Sequence, residues 1–275
     1  MSSSSRRPER IQNTPIPHIL SILLMLIASI FLFVVVLNNV PLSSSHSTIH
    51  SHPERRSWLV KIKPDIGSSS KGITGGARRE FGLGVWGWCS WISRIGDGVT
   101  STKIEYSEAQ CTKEPFWKAP DDADRGDPIR DLTLPSGLAK SLSISAFFLV
   151  FVLISCTILL FDLLLCLRFH SYTQPPKNGE LYCLPPSHLR MRTWYAHTLR
   201  NVWMRLIFSL SLLAWGLPVI VIACVGVDGL DERYKGYLGS GWGLALGALI
   251  CAVLAQILIV AGGLWNNPDR SGTAH

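Results

Sequence analysis

Residues Ile16–Leu37 read IPHILSILLMLIASIFLFVVVL, a run of 22 positions without a formal charge. A helix rises about 1.5 Å per residue, so a helix of this length would cross a hydrocarbon core of about 30 Å. Arg6, Arg7 and Arg10 in front of the run would also suit a signal peptide, but its length favours a signal anchor that is not cleaved. The run therefore predicts the first membrane span.

Three further apolar blocks follow, at residues 142–167, 206–227 and 238–265. The overall composition, 47% hydrophobic and 16% charged residues, agrees with a chain that folds in lipid rather than in water. We expect an all-α membrane protein built as a bundle of four transmembrane helices. Four tryptophans are expected near the ends of the spans, where interfacial aromatic residues are favoured, namely Trp203, Trp215, Trp242 and Trp265.

The positive charge of the chain is explained by membrane topology. The formal net charge is +7, but the cations lie beside or between the apolar blocks and accompany no nucleic-acid-binding motif, so no nucleic-acid partner is expected. Lys and Arg outnumber the single acid, Glu180, in residues 168–205, which predicts that this loop and both termini are cytoplasmic. The predicted segments are 1–15 cytoplasmic, 16–37 span one, 38–141 extracellular loop, 142–167 span two, 168–205 basic cytoplasmic loop, 206–227 span three, 228–237 short extracellular loop, 238–265 span four and 266–275 cytoplasmic tail.

The loop of residues 38–141 is the expected working surface. It contains a Ser/His-rich stretch whose histidines, His46, His50 and His52, have a reference pKa of about 6.5 and could respond to pH. Flexible histidines between serines are more often simply solvated, so we favour solvated histidines over a pH sensor. An alternating, strand-like run follows at residues 58–62, and the segment with the most ordered pattern is 81–92.

The sharpest motif of the chain is LGVWGWC at residues 83–89, followed by a second cysteine, Cys111. Its glycines permit a tight turn, and its large aromatic residues can pack the loop onto the membrane-proximal surface. An oxidising exterior would allow Cys89 to join Cys111, and closing that loop would stabilise the fold by roughly 3 kcal/mol. The alternative is a pair of unpaired cysteines.

Several residues together resemble the fungal PalI/SUR family of eisosome-type four-span membrane proteins, within the claudin-like superfamily. They are Gly84-Val85-Trp86-Gly87-Trp88-Cys89, the later Cys111, and the segment LPSGLAKSL at 134–142, which is similar to the family's start of span two. Trp58 lies farther upstream than the first tryptophan of the claudin-like pattern. The resemblance covers nearly the whole chain and allows for a small claudin-like β-sheet in the large loop.

The resemblance implies a plasma-membrane protein without enzymatic activity. Its role would be that of an organiser of furrow-like membrane domains or an accessory subunit in ambient-pH signalling, with lipids, other membrane proteins or the cell wall as partners and homo-oligomers among the possible assemblies. The resemblance also implies a Cys89–Cys111 disulfide and a signature formed by Gly84, Trp86 and Gly87. A related group involved in calcium influx during mating shares the glycine-cysteine pattern, so a component of an ion-influx system is the alternative function.

The spans contain two features that need an explanation. Asp162 is the one formal charge of span two, and a bare carboxylate is costly in lipid. It could pair within the bundle, mark an ion path, or be neutralised near the interface by Arg168 or a basic residue of the next loop. Gly243 and Gly247 form a small-xxx-small spacing, for which packing within the bundle is favoured over self-association.

Signatures of catalysis and of metal binding are absent from the sequence. There is no nucleophile elbow, metalloprotease motif, phosphate-binding glycine loop or dinucleotide fingerprint, so we expect no enzyme and no cofactor. Two cysteines and two histidines near the basic loop match no established zinc spacing, and no metal site is expected from Cys166, His170, Cys183 and His188.

Overall fold

Four long helices dominate the part of the chain that the computed structural model describes, which comprises residues 16–38, 46–49, 52–64, 77–95, 104–114, 117, 137–170, 202–230 and 234–265. All four are long and apolar enough to cross a membrane. The prediction of a four-helix membrane bundle is confirmed. The helices are α1 (Ile16–Leu37), α2 (Leu138–His170), α3 (Val202–Asp228) and α4 (Ser240–Trp265).

The helix boundaries differ from the predicted spans. Helices α2 and α3 extend beyond the apolar blocks at both ends, because an α-helix can continue through polar residues such as Lys140. Helix α4 begins at Ser240 rather than at Leu238, since the residues just before it form a β-strand. The short loop predicted at residues 228–237 therefore contains regular structure.

The helices form a ring in which α1 and α3 each pack against both α2 and α4. Small residues line the inner faces, for example Ala28 in α1 and Ala248 in α4, and allow close approach of the backbones. Leucine, isoleucine and phenylalanine side chains cover the outer faces and are exposed along the length of the helices. In water such a surface would be an aggregation hazard, whereas on spanning helices it is the surface that lipid tails contact.

A seven-stranded antiparallel sheet lies at the end of the bundle where α1 and α3 finish and α2 and α4 begin; we call this the sheet end, and the opposite one the far end. Six strands come from the connection between α1 and α2, and β7 comes from the connection between α3 and α4. The spatial order is β1-β6-β4-β3-β2-β7, with β5 also paired to β4. The strands are β1 (His46–Ile49), β2 (Val60–Pro64), β3 (Ala77–Gly84), β4 (Gly87–Ile95), β5 (Ile104–Tyr106), β6 (Ala109–Lys113) and β7 (Tyr234–Leu238).

The two faces of the sheet have different environments. Val60, Leu83 and Trp88 pair across β2, β3 and β4 and share one core with the helices. Successive residues of a strand alternate between the two faces, so the next row of paired residues lies on the other face. That row consists of Lys61, Gly82, Cys89 and Cys111. The strand-like run predicted at residues 58–62 contributes only its last three residues to β2, and Trp58 precedes the strand.

Candidate functional site

The disulfide joins two neighbouring strands of the sheet. Cys89 on β4 and Cys111 on β6 are directly opposite each other and bonded, with their Cα atoms 4.0 Å apart. Both are buried in a second core on the face directed away from the bundle. We call it the Trp58 cluster; its members are Ile49, Trp58, Cys89, Trp91, Ala109 and Cys111. The bond holds β6, and β1 beyond it, to the central strand of the sheet.

Removal of this bond has a defined expected result. Cys89→Ser should migrate more slowly than the wild type on non-reducing gels, because the loop closed by the disulfide opens, and should lose roughly 3 kcal/mol of stability in the sheet on the chain-entropy argument. The matched control is Cys251→Ser, which alters a free cysteine of α4 and should not change the mobility. Identical mobility of Cys89→Ser and the wild type would contradict the bond.

Trp58 is the central residue of this second core, a role that the sequence did not reveal. Its indole ring stacks on Trp91 with 6.0 Å between ring centroids, and its Nε1 donates a hydrogen bond to the Pro53 carbonyl at 2.8 Å. The ring covers Gly82, where a Cβ atom would lie 2.5 Å from the indole Cδ2. Glycine in β3 therefore creates the space that the tryptophan fills.

The signature glycines form the hairpin between β3 and β4. Gly84 pairs with Gly87, and Val85 and Trp86 make the two-residue turn between them. Gly87 has φ of +145°, and a Cβ there would collide with the backbone carbonyl of Thr112 on β6. No other residue type fits this position, because the conformation is strained for L side chains and the colliding atom belongs to the backbone.

Trp86 fastens this hairpin to the membrane helices. Its indole Nε1 donates a hydrogen bond to the carbonyl of Val36 in the last turn of α1, at 2.6 Å. Helix C-termini leave carbonyl groups without intrahelical partners, so the indole satisfies a group that the helix leaves open. The signature residues thus connect the sheet to the bundle.

Further hydrogen bonds tie the segment before β2 to α1 and α4. The Asn38 side-chain amide donates to the carbonyl of Ser57 at 2.9 Å. From the other side, the backbone amides of Gly239 and Gly241 donate to the carbonyls of Leu59 and Trp58, at 2.9 and 2.8 Å. The start of α4 consequently rests on the chain around Trp58, and the sheet is fixed to the ends of two helices rather than suspended from a linker.

A buried polar network stabilises the face of the sheet that carries the Trp58 cluster. Glu80 is only 6% exposed and accepts hydrogen bonds from Trp91 Nε1 at 3.2 Å and Ser93 Oγ at 3.0 Å. Lys63 lies between two carboxylates, 3.4 Å from Glu80 and 3.6 Å from Glu54. Burial lowers the pKa of the neighbouring Lys61, an effect that the Glu54 carboxylate partly offsets.

Asp162 lies near the far end of the bundle, where it pairs with Arg205. The Arg205 Nη2 and Asp162 Oδ2 atoms are 3.0 Å apart, and Nη1 donates to the Gln256 side chain at 3.4 Å. Arg205 is 5% exposed and Gln256 2%, so the group, which we call the far-end triad, connects α2, α3 and α4 inside the protein. The pair agrees with the alternative in which a basic residue of the segment 168–205 neutralises Asp162, but Arg205 lies in α3 and not in the predicted loop.

Other expected features fall at different places. A Cβ at Gly247 would lie 3.5 Å from the Phe31 ring of α1, whereas one at Gly243 would meet no described atom within 4 Å.

Trp215 is not near a helix end but in the middle of α3, where its ring lies 5.3 Å from that of Phe151. The expectation of an interfacial Trp215 was wrong.

His52 is the one histidine of the Ser/His-rich stretch whose side chain the structure describes. His52 is exposed and directly precedes a short 3₁₀ turn, Pro53–Arg55. Within the described part of the chain, no group of three His, Cys, Asp or Glu side chains is close enough to hold a metal ion. Outside the described residues or side chains lie His46, His50, Cys166, Arg168, His170, Cys183 and His188.

The architecture defines a class: a multi-pass membrane protein whose four-helix bundle carries a disulfide-linked antiparallel sheet docked on its helix ends. Within that class the chain belongs to the SUR7/PalI family, whose profile matches residues 17–258, from the first helix to the fourth. No individual curated protein matches the sequence. The family that the sequence motifs resembled is thereby confirmed.

Proposed function

We propose that this protein is a non-enzymatic organiser or accessory subunit of the plasma membrane, with the sheet outside the cell and both termini in the cytoplasm. The sheet contacts the cell wall or a partner protein, and the bundle associates with lipids and other membrane proteins. Membership of the SUR7/PalI family supports a role of this kind. The excess of Lys and Arg between the second and third apolar blocks supports the orientation.

The observation that carries the proposal is the attachment of the sheet to the helices. Hydrogen bonds from Trp86 to Val36, and from Gly239 and Gly241 to the chain around Trp58, join it to two helix ends. A partner bound to such a sheet restrains the whole bundle in the plane of the membrane. A sheet on a flexible tether would restrain the bundle far less, so this arrangement suits a protein that stays at a fixed place in the membrane.

The alternative, a component of an ion-influx system, has less support. It requires an Asp162 carboxylate that can meet a passing cation, yet that carboxylate pairs with Arg205 at 3.0 Å. A direct test is calcium uptake in cells that carry Asp162→Asn. A reduced influx, at unchanged amounts of protein in the membrane, would favour the alternative over our proposal.

A fluorescent fusion to the C-terminus tests the proposal. We expect immobile patches at the cell edge that recover slowly after photobleaching, because a wall- or partner-bound bundle cannot diffuse freely. A matched Trp58→Ala fusion, in which the second core of the sheet is disrupted, should be more mobile at the cell edge. Fluorescence in intracellular membranes, or equally fast recovery of both fusions, would contradict the proposal.

A further inference from the structure

Helix α3 is attached at both of its ends to other parts of the protein. Its last turn leads to the edge strand β7, and its first turn carries Arg205 of the far-end triad. From Arg205 to Val227 the helix is about 33 Å long, because each residue adds about 1.5 Å. The two attachments therefore lie on opposite sides of the bundle.

At the sheet end, β7 is packed directly onto α3. A Cβ at Gly236, the middle residue of β7, would lie 2.6 Å from Leu230 Cδ1 and 3.1 Å from the Cα of Val227. The strand also pairs with β2 over five residues, from Val60↔Leu238 to Pro64↔Tyr234. Because β7 lies against the last turn of α3, any axial shift of the helix would strain this pairing.

At the far end, the position of α3 is set by charge. Arg205 and Asp162 compensate each other inside the bundle, and Gln256 accepts a further hydrogen bond from the guanidinium. A buried cation that loses its counter-ion is strongly unfavourable and moves toward water when its backbone permits. Arg205 is the fourth residue of α3, so a displacement of the helix toward the far end would bring its side chain closer to water.

Between these points α3 is supported by contacts with α2 and α4. The Trp215 ring stacks on Phe151, and a Cβ at Gly216 would collide with the Leu249 side chain of α4. The Trp242 indole Nε1 donates to the Ile220 carbonyl at 3.3 Å, just beyond Pro218. These contacts support the helix on both sides of the proline, where a kink would otherwise absorb a displacement.

We propose that α3 is a connector that couples the pairing of β7 with β2 at the sheet end to the Asp162–Arg205 ion pair at the far end. The inference goes beyond the proposed function, since it concerns communication across the membrane and not location. A ligand that displaces β7 would loosen the ion pair. By reciprocity, loss of the ion pair loosens β7, and the same coupling free energy governs both directions.

Hydrogen exchange of the full-length protein in lipid nanodiscs tests the coupling. In Asp162→Asn, we expect amide exchange in Tyr234–Leu238 to accelerate by about tenfold while β4 and β6, which the disulfide joins, keep their wild-type rates. The double variant Asp162→Asn/Arg205→Gln, which removes both charges, should bring β7 back to within about twofold of the wild type. The control is Thr157→Val, which alters an exposed α2 side chain whose hydroxyl donates a hydrogen bond to the Leu153 carbonyl of the same helix.

A second variant measures the opposite direction and does not depend on the folding of Asp162→Asn. Gly236→Ala should accelerate exchange in the first turns of α3, about 33 Å away, by severalfold, since its methyl group pushes β7 off Val227 and Leu230. Sites so far apart are ordinarily independent. Faster exchange at only the mutated end, or an equal increase in all strands, would overturn the proposal.

Discussion

Trp58→Ala is expected to reduce the free energy of unfolding of the sheet by about 3–5 kcal/mol, the range measured for truncation of large buried aromatic residues. The side chain is completely buried, and its loss opens a cavity above Gly82 and Gly84 that β3 cannot close. It also removes the stack with Trp91 and the hydrogen bond to the Pro53 carbonyl. Denaturant unfolding in detergent, followed by the remaining tryptophan fluorescence, measures the change.

Two variants accompany Trp58→Ala. Trp58→Phe keeps part of the ring over Gly82 and should lose clearly less stability than the alanine variant, because the cavity is smaller. Trp203→Ala is the matched control, since Trp203 is 74% exposed at the start of α3 and surface substitutions usually change stability by about 0.5 kcal/mol or less. Equal losses for Trp58→Ala and Trp203→Ala would contradict the assigned role of Trp58.

The parts of the fold that sequence could predict are those that depend on local composition. A span such as residues 16–37 is defined by its own hydrophobicity, so four helices could be identified without knowledge of their neighbours. The disulfide could be predicted from the sequence for a related reason. Two cysteines in the loop of one chain leave few alternatives, and their resemblance to the family motif indicated the pairing that the structure contains.

The parts that sequence missed depend on long-range pairing. The segment YKGYL of β7 has no distinctive strand pattern, and it forms a strand because β2, more than 170 positions earlier in the sequence, offers it an edge. Trp58 lies farther upstream of the motif than the first tryptophan of the claudin-like pattern, yet β2 and β3 bring it over Gly82. Distance along the chain was a poor guide because an antiparallel sheet folds distant segments together.

The place of Arg205 inside the bundle was missed for a different physical reason. A charged residue lowers the hydrophobicity of a sequence window, so the predicted third span began one residue after it. The cost of burying a cation depends on its partners, and here Asp162 and Gln256 supply them from two other helices. A basic residue of the segment 168–205 was one of the counter-ions considered for Asp162, but only the assembled bundle identifies it as Arg205 and places that residue inside.

Arg205→Gln is accordingly the second variant with a large expected effect, a loss of about 3–5 kcal/mol of stability, as found when one partner of a buried ion pair is removed. The Asp162 carboxylate loses its counter-ion, and it is held in the bundle by its place within α2. Thermal unfolding in nanodiscs should show a lowered midpoint. Less folded protein should also be recovered from membranes for Arg205→Gln than for the wild type.

The comparison that separates charge compensation from simple loss of a large side chain is the double variant. Asp162→Asn/Arg205→Gln leaves no charge inside the far-end triad, so it should be clearly more stable than Arg205→Gln although it carries one more substitution. Lys140→Gln, which neutralises an exposed cation in the first turn of α2, is the control and should resemble the wild type. If the double variant were instead the least stable of the set, with additive losses, Arg205 would act through packing alone and the ion pair would contribute nothing to the bundle.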